Sequence, residues 1–423
     1  MPGLWKAVIS RRKTSGGRRP AVEAGDSRIP RRLRPRDRRR RRRRSWWSPN
    51  RGRVRSGAMT DLDRYHRQMR LPGIGAEGQA RLGRGSVFIA GCGALGTVAA
   101  DLLCRAGVGT LVIVDRDLVE STNLQRQTLY TERDASRSTP KAEAARLRLA
   151  QANSNVRVRA FVEEIDSETI ASLAEGCDLV LDGLDNFETR YLLNDFAVST
   201  GVPYLYGAGV ATQGMSMPVL SRRGPGSSAT IRWNDAETTP CLRCLFPTPP
   251  PAGSTPTCDT AGVLGSVTMT VAAHQATQAI KLLVGDVGAV DRSLRSFDLW
   301  TNVNRSLGIE ASIDPDCPCC ARGQYEHLDA APASTRILCG RNAVQIRSEA
   351  GDVEIDLDAV ANRLAGLGTI EKVDGSIRGR LRDERSPDGD PVSVVVFADG
   401  RAIIEGATDP AWARGVFDRV VGR

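Results

Sequence analysis

From residue 84 the chain alternates between short apolar runs and stretches with helical spacing. "SVFIA" (86–90) is an apolar run that leads into the glycine-rich turn "GCGALG". A helical stretch, "GTVAADLLCRAG", follows, and then a second apolar run, "TLVIVD". "KAEAARLRLAQAN" is helical in period and composition, and "VRVRAF" alternates as a strand does. A short helix is expected at about 167–175. "CDLVLDGLDN" reads as a further buried strand ending in carboxylates, 187–200 as a helix and "PYLYGAGV" as extended chain. Strands alternating with helices predict a Rossmann-like, doubly wound α/β fold around a mostly parallel sheet.

The pattern changes after Gly209. Residues 213–233 suggest antiparallel strands separated by the turn-rich "RRGPGSS", an antiparallel extension of the same sheet. "PTPPPAGSTPTCDTAG" is too long and polar for core and reads as a functional loop. A long helix is expected over 264–284 and a strand at "SLRSFDLW". The expected organisation is an Arg-rich tail at 1–58, a main domain at 59–320, a linker at 321–335 and a small α+β domain at 336–423. That last unit would be built from "DLDAVANRLAGLG", "PVSVVVFADG", "RAIIEG" and "DPAWARGVFDRVVG". It holds a single cysteine, Cys339, and no histidine cluster.

Charge sharpens the tail. Residues 1–58 hold 19 Arg and 2 Lys against Glu23, Asp26 and Asp37, so they carry +18 and the remaining 365 residues −8 of the total +10. The basicity therefore belongs to a low-complexity segment without an apolar period, and the body is acidic. The tail reads first as an upstream extension, with the true start at Met59, or as a disordered segment without a role. A nucleic-acid-binding protein acting through the tail is the alternative from another class. No apolar run is long enough to span a membrane, and no secretory core precedes the body. A cytoplasmic, reducing compartment is expected.

Candidate chemistry gathers at the predicted strand ends. Gly91, Gly93 and Gly96 form Gly-x-Gly-x-x-Gly between a strand and a helix, with Ala94 inside the turn. Asp115 ends the next strand, 19 residues after Gly96, where a carboxylate accepts ribose hydroxyls. Tight packing without a ligand is the plainer reading of the glycines. The loop "NLQRQ" (123–127) brings Asn123, Arg126 and Gln127, and Lys141 opens the following helix. Two cations with side-chain amides suit a triphosphate better than the bridging pyrophosphate of a dinucleotide, which needs only backbone and helix dipole. Solvated surface charges are the plainer reading of Arg126 and Lys141. Asp182 and Asp185 close the next strand, an edge at which a carboxylate holds Mg²⁺; Asp185 capping the following helix is compatible with that role.

Four of the 10 cysteines form two Cys-x-x-Cys pairs, Cys241/Cys244 and Cys317/Cys320, with 72 residues between them. Each pair offers two thiolates to one tetrahedral structural Zn²⁺. Cys319 is a spare inside the second pair. Cys92, Cys104 and Cys177 fall in apolar elements and read as core.

Taken in order, "RYHRQ", "GCGALG", "DRD", "NLQRQ", "PK" and "DGLDN" resemble the ThiF/MoeB-type sulfur-carrier adenylyltransferases of the ubiquitin-activating enzyme family, over about residues 61–320. The resemblance implies a homodimer that uses ATP to adenylylate the C-terminal glycine of a ubiquitin-like sulfur carrier ending in Gly-Gly, in a thiamine or molybdopterin pathway. It implies that Asp115 binds ribose, that Arg126 and Lys141 hold phosphates, that Asp185 binds Mg²⁺, and that Arg67 reaches the partner's ATP. Ala94 departs from relatives that have a third glycine there. Cys258 matches a position where some relatives form a thioester or persulfide-linked intermediate and others keep an idle cysteine; both readings stand. A sulfurtransferase or cysteine desulfurase would supply the sulfur. A relative that adenylylates another substrate, such as a tRNA threonylcarbamoyl group, is the alternative enzyme.

Overall fold

The apolar runs become strands whose order follows from which of them must be buried on both faces. The computed structural model describes residues 62–221, 230–250, 258–331, 335–338, 342–347, 355–373, 376–406 and 408–421. The expectations for the Arg-rich tail, for "RRGPGSS", for residues 251–257 of the Pro-rich loop and for Cys339 lie outside the described residues.

The first sheet contains β1 (Ser86–Ala90), β2 (Thr110–Val114), β3 (Arg157–Phe161), β4 (Leu179–Asp182), β5 (Tyr204–Val210), β6 (Gln213–Val219), β7 (Ser293–Asp298) and β8 (Val303–Gly308). Its spatial order is β3-β2-β1-β4-β5-β6-β7-β8. The first five strands are parallel, with Ala90 aligned to Val114 on one side and to Asp182 on the other. The last three add on antiparallel. Strand order therefore reverses at β1, and the C-terminal ends of β1 and β4 flank the crevice where such sheets bind ligands. Right-handed crossovers running in opposite directions from β1 place their helices on opposite faces of the sheet.

Five helices connect or cover these strands: α1 (Gly75–Leu82), α2 (Gly96–Ala106), α3 (Lys141–Ala152), α4 (Phe187–Thr200) and α5 (Gly265–Val284). The core joins Val87, Ile89, Leu111, Ile113 and Leu181 of the strands to Leu103, Leu149, Ala272 and Ala279 of the helices. Gln275, fully buried in α5, donates to the carbonyls of Asp182 and Leu205 (both 2.9 Å). It ties the long helix to the ends of β4 and β5. No helix among the described residues is long and apolar enough to cross a membrane.

A second, wholly antiparallel sheet is built from β9 (Thr335–Leu338), β10 (Ala343–Ile346), β11 (Gly368–Val373), β12 (Ser376–Arg385), β13 (Pro391–Phe397) and β14 (Ala402–Glu405). Its order is β11-β12-β13-β14-β10-β9. Helices α6 (Leu357–Ala365) and α7 (Pro410–Val420) cover one face through Val360, Leu364, Val416 and Phe417.

Several expectations change. The helix expected at 167–175 shortens to Ile170–Leu173. Residues 230–233 are not a strand: both edges of β6 are already taken by β5 and β7, and Trp233 instead donates to the Ser221 carbonyl at 3.1 Å. The strand at "SLRSFDLW" stops at Asp298, whose carboxylate accepts the Trp300 and Thr301 amides and turns the chain back into β8. Asp185 does not cap α4. Asn186 does, its Oδ1 accepting the Thr189 amide at 2.9 Å. Replacing Asn186 by Ala should therefore lower stability by about 1 kcal/mol, read from urea denaturation, whereas Asp185→Ala should leave the midpoint unchanged.

Candidate active site

The site begins where β1 must turn into α2 without room for side chains. Gly91 lies in the left-handed region (φ +83°). Its carbonyl is so close to Gly96 and Gly183 that a Cβ on either would sit 2.0 or 2.3 Å from the oxygen. Gly183, just past β4, is the glycine of "DGLDN". Gly93 differs: a Cβ there meets nothing nearer than 3.8 Å, so the turn is not crowded at this position. The turn thus offers bare backbone at the start of a helix, the setting that holds phosphate or ribose. Half-buried Ala94 packs against the apolar core beside the turn.

Asp115 clamps this turn. One carboxylate oxygen accepts the Cys92 amide at 2.7 Å and the other accepts the Asp117 amide at 2.8 Å. Burial pushes its pKa above the usual carboxylate range, against the pull of Lys141 and the two amides. The plainer reading of Lys141 as a surface lysine is overturned: its side chain is 5% exposed and its ammonium donates to Asp117 at 2.9 Å. Tyr130, which no sequence motif marks, is buried and donates to the Cys92 carbonyl at 2.6 Å. Burial and the Asp115 charge push the Cys92 thiol up to about 12, which agrees with its reading as core.

The "NLQRQ" loop divides its labour. Asn123 is buried and its Oδ1 accepts the Glu120 amide at 3.1 Å, so this amide closes its own turn. Arg126 is half-buried and donates to the Thr122 carbonyl at 3.0 Å. Gln127 is buried beside Gly93, and its Oε1 has no hydrogen-bond partner among the described residues. A buried amide oxygen left unpaired at the open side of a glycine turn fits a site that takes a polar ligand.

At the next strand end the two carboxylates separate. Asp182 is fully buried and accepts from Arg190 (3.1 Å), Tyr204 (2.8 Å) and the Leu184 amide (2.9 Å). Burial pushes its pKa up, and Arg190 opposes that. This carboxylate belongs to the scaffold. Asp185 is exposed at the rim and within electrostatic reach of Arg116 and Arg190. Arg116, the middle residue of "DRD", pairs with Glu164 and lies 4.0 Å from Asp117. The structure thus joins Gly91, Gly93, Gly96, Asp115, Lys141 and Gln127 in one corner. Arg126 stays on its own loop, and Arg67 is exposed on the short helix His66–Met69. Cys258 opens the short helix Cys258–Ala261, half-buried, with its sulfur 3.5 Å from the Gly209 carbonyl of β5.

The two cysteine pairs meet. The sulfurs of Cys241, Cys244, Cys317 and Cys320 all lie within 4.8 Å of one another, with close pairs at 3.4, 3.6 and 3.8 Å. A tetrahedral thiolate site with metal–sulfur bonds of about 2.3 Å has sulfur–sulfur edges of about 3.8 Å, so the set fits a closed metal site. Asn194 of α4 fixes both knuckles: its Oδ1 accepts the Leu242 amide at 2.7 Å and its amide donates to the Cys319 sulfur at 3.3 Å. The spare cysteine is thereby engaged with α4 and the assignment of the four is clear.

Residues 65–319 match the ThiF family. The sulfur carrier protein ThiS adenylyltransferase of Bacillus subtilis (strain 168) is 42% identical, over 85% of this chain and 99% of its own. The SAMP-activating enzyme E1 of Haloferax volcanii is 38% identical, over 64% of this chain and 93% of its own. A crystal structure of E. coli MccB with MccA superposes with a TM-score of 0.50 at 21% identity, covering 62% of this chain and 74% of that one, a likeness of fold.

Two outcomes are expected. Cys241→Ser should lose the one metal ion per chain measured by elemental mass spectrometry and lower the thermal midpoint. Iodoacetamide at pH 8 should leave Cys92 unlabelled in the folded chain and label it after unfolding, read by peptide mass spectrometry; labelling in the native state would mean the glycine turn opens.

Proposed function

We propose a function for a chain that belongs to the ThiF family: it adenylylates the C-terminal glycine of a ubiquitin-like sulfur carrier, releasing pyrophosphate. The observation that carries this reading is Lys141. An ammonium withdrawn from water is expensive unless it is paired and has work at that place. This one opens α3 beside Asp115 and the open glycine turn, where a cation faces a nucleotide's phosphates. The whole-length relative named for a sulfur carrier supports the substrate class.

The chemistry needs little covalent help from the protein. A carboxylate is a poor electrophile. Attack of the carrier's terminal carboxylate oxygen on the α-phosphorus of ATP forms one P–O bond and breaks that to pyrophosphate. The product is a mixed anhydride that a sulfur nucleophile can open. Such a transfer depends on in-line placement and on neutralising charge as pyrophosphate leaves. In this reading Asp115 accepts the ribose hydroxyls, Gly91, Gly93, Ala94 and Gly96 supply the bare backbone, and Gln127 donates or accepts at the nucleotide. Lys141 and Arg126 neutralise phosphates, Arg126 leaving the Thr122 carbonyl to do so. Asp185, the open carboxylate, is suited to Mg²⁺, which would screen the phosphate charge. Arg67 serves the partner's nucleotide across a homodimer. The four thiolates would hold Zn²⁺ in a structural role. Cys258, near the end of β5, would attack the acyl-adenylate carbonyl as a thiolate, forming a thioester and releasing AMP. Or it would carry a persulfide from a sulfurtransferase or cysteine desulfurase, whose outer sulfur makes the same attack with the same loss of AMP. Residues 59–320 form the adenylation part, joined through 321–335 to the C-terminal unit.

Carrier-dependent exchange of labelled pyrophosphate into ATP tests this. Arg126→Ala and Asp185→Ala should each lower the exchange rate by about 100-fold or more, the scale of losing one preorganised charge stabiliser. Full exchange in both variants would sink the assignment of these residues. No exchange by the native chain with any Gly-Gly carrier would sink the function.

A further inference from the structure

The C-terminal sheet has a second face, and it does not look at solvent. Its residues Ala343, Val395, Phe397 and Ile403 pack on Leu118 and Val162. Leu118 follows Asp117 directly and bridges to Pro140, the residue before Lys141. The Lys141 amide in turn donates to the Asp117 carbonyl at 2.8 Å. Polar bonds grip the same two loops. Arg378 donates to the Ser138 hydroxyl at 2.7 Å. Arg401 donates to the Val162 carbonyl, and Arg347 donates to Asp166 at 2.9 Å. The decisive contact is at Glu164. One of its oxygens accepts from Arg116, which follows the ribose-side Asp115. The other accepts from the buried Gln345 of β10.

This matters because Asp117 has two cations beside it. Lys141 is at 2.9 Å and Arg116 at 4.0 Å. Guanidinium–carboxylate pairs are strong and often bidentate. An unrestrained Arg116 would compete with Lys141 for Asp117, and with Mg²⁺ for Asp185, which already feels its charge. Glu164 draws Arg116 away from that competition, and Gln345 holds Glu164 in place to do so.

We propose that the C-terminal sheet is a positioning element of the nucleotide site, acting through Gln345 and Glu164 to hold Arg116 off the carboxylates that serve Lys141 and the phosphates. The inference rests on the function proposed above. Gln345 is a positioning residue: it acts through Glu164 and Arg116.

The test uses the full chain and MgATP. Gln345→Leu should raise the dissociation constant for ATP, measured by calorimetry without a carrier, and the KM for ATP in exchange, each by about tenfold, with kcat within about twofold. Glu164→Gln, which keeps shape and hydrogen bonding, should move both in the same direction and guards against a folding defect in the first variant. Arg347→Leu loses a bond of the same interface without touching Glu164; it should lower the thermal midpoint and leave ATP affinity unchanged. Adding Arg116→Gln to Gln345→Leu should return the affinity toward the native value, because the competing cation is gone. Unchanged affinity in both Gln345→Leu and Glu164→Gln overturns the proposal, as does a double variant no better than the single one. A native chain that binds no ATP overturns the proposed function itself, and the positioning role with it.

Discussion

One carboxylate governs the geometry of the nucleotide corner. Asp115 takes a backbone amide on each oxygen, one from the glycine turn after β1 and one from the loop after β2. Those two loops belong to adjacent parallel strands, and the Tyr130 hydroxyl on the Cys92 carbonyl is a second tie between them. Hydrogen bonds to an ionised acceptor are about twice as strong as neutral ones, and these are shielded from water. Lys141, Tyr130 and the bare stretch at Gly93 all take their positions from loops that this side chain joins.

The opposite half of the site is held by a different device. Arg190 is buried between the rings of Phe187 and Tyr206, and reaches Asp182, the Leu184 carbonyl and the Gly207 carbonyl at once. A buried ion pair contributes little net stability, yet it fixes one arrangement because every alternative strands a charge. The same helix, α4, then continues through Asn194 to the thiolate cluster. The four-cysteine cluster and the exposed rim at Asp185 are thus linked through the first half of one helix.

What the sequence made legible was what short-range pattern encodes. The glycine turn, the carboxylates at strand ends, the long helix α5 and the paired cysteines each announce themselves within a few residues. The sulfur-carrier resemblance followed from their order and was borne out by the family match. Polar strands were not legible. β8 ("VNRSLG") and β12 ("SIRGRLRDER") carry charges on their open faces and lack an apolar run, so pairing rather than propensity defines them. Asp185 is the cap the sequence suggests, and only the backbone angles give that place to Asn186. Arg116, Glu164 and Gln345 could not be connected at all, because their meeting depends on how two sheets dock.

That docking has a consequence for the order in which the molecule can be made. The C-terminal sheet is largely a meander of neighbours, β11 through β14, and such local pairings form quickly. The parallel sheet must instead await strands far apart in the chain, Ala90 meeting Asp182 only after β4 has emerged. Synthesis runs from the N-terminus, and domains fold in that direction. Yet the residues that brace the loop beside Asp115 — Gln345, Arg378 and Arg401 — all follow the parallel strands in the chain. A nascent chain can therefore own a complete Rossmann sheet and still lack the braces of its nucleotide loop until the C-terminal sheet has been made.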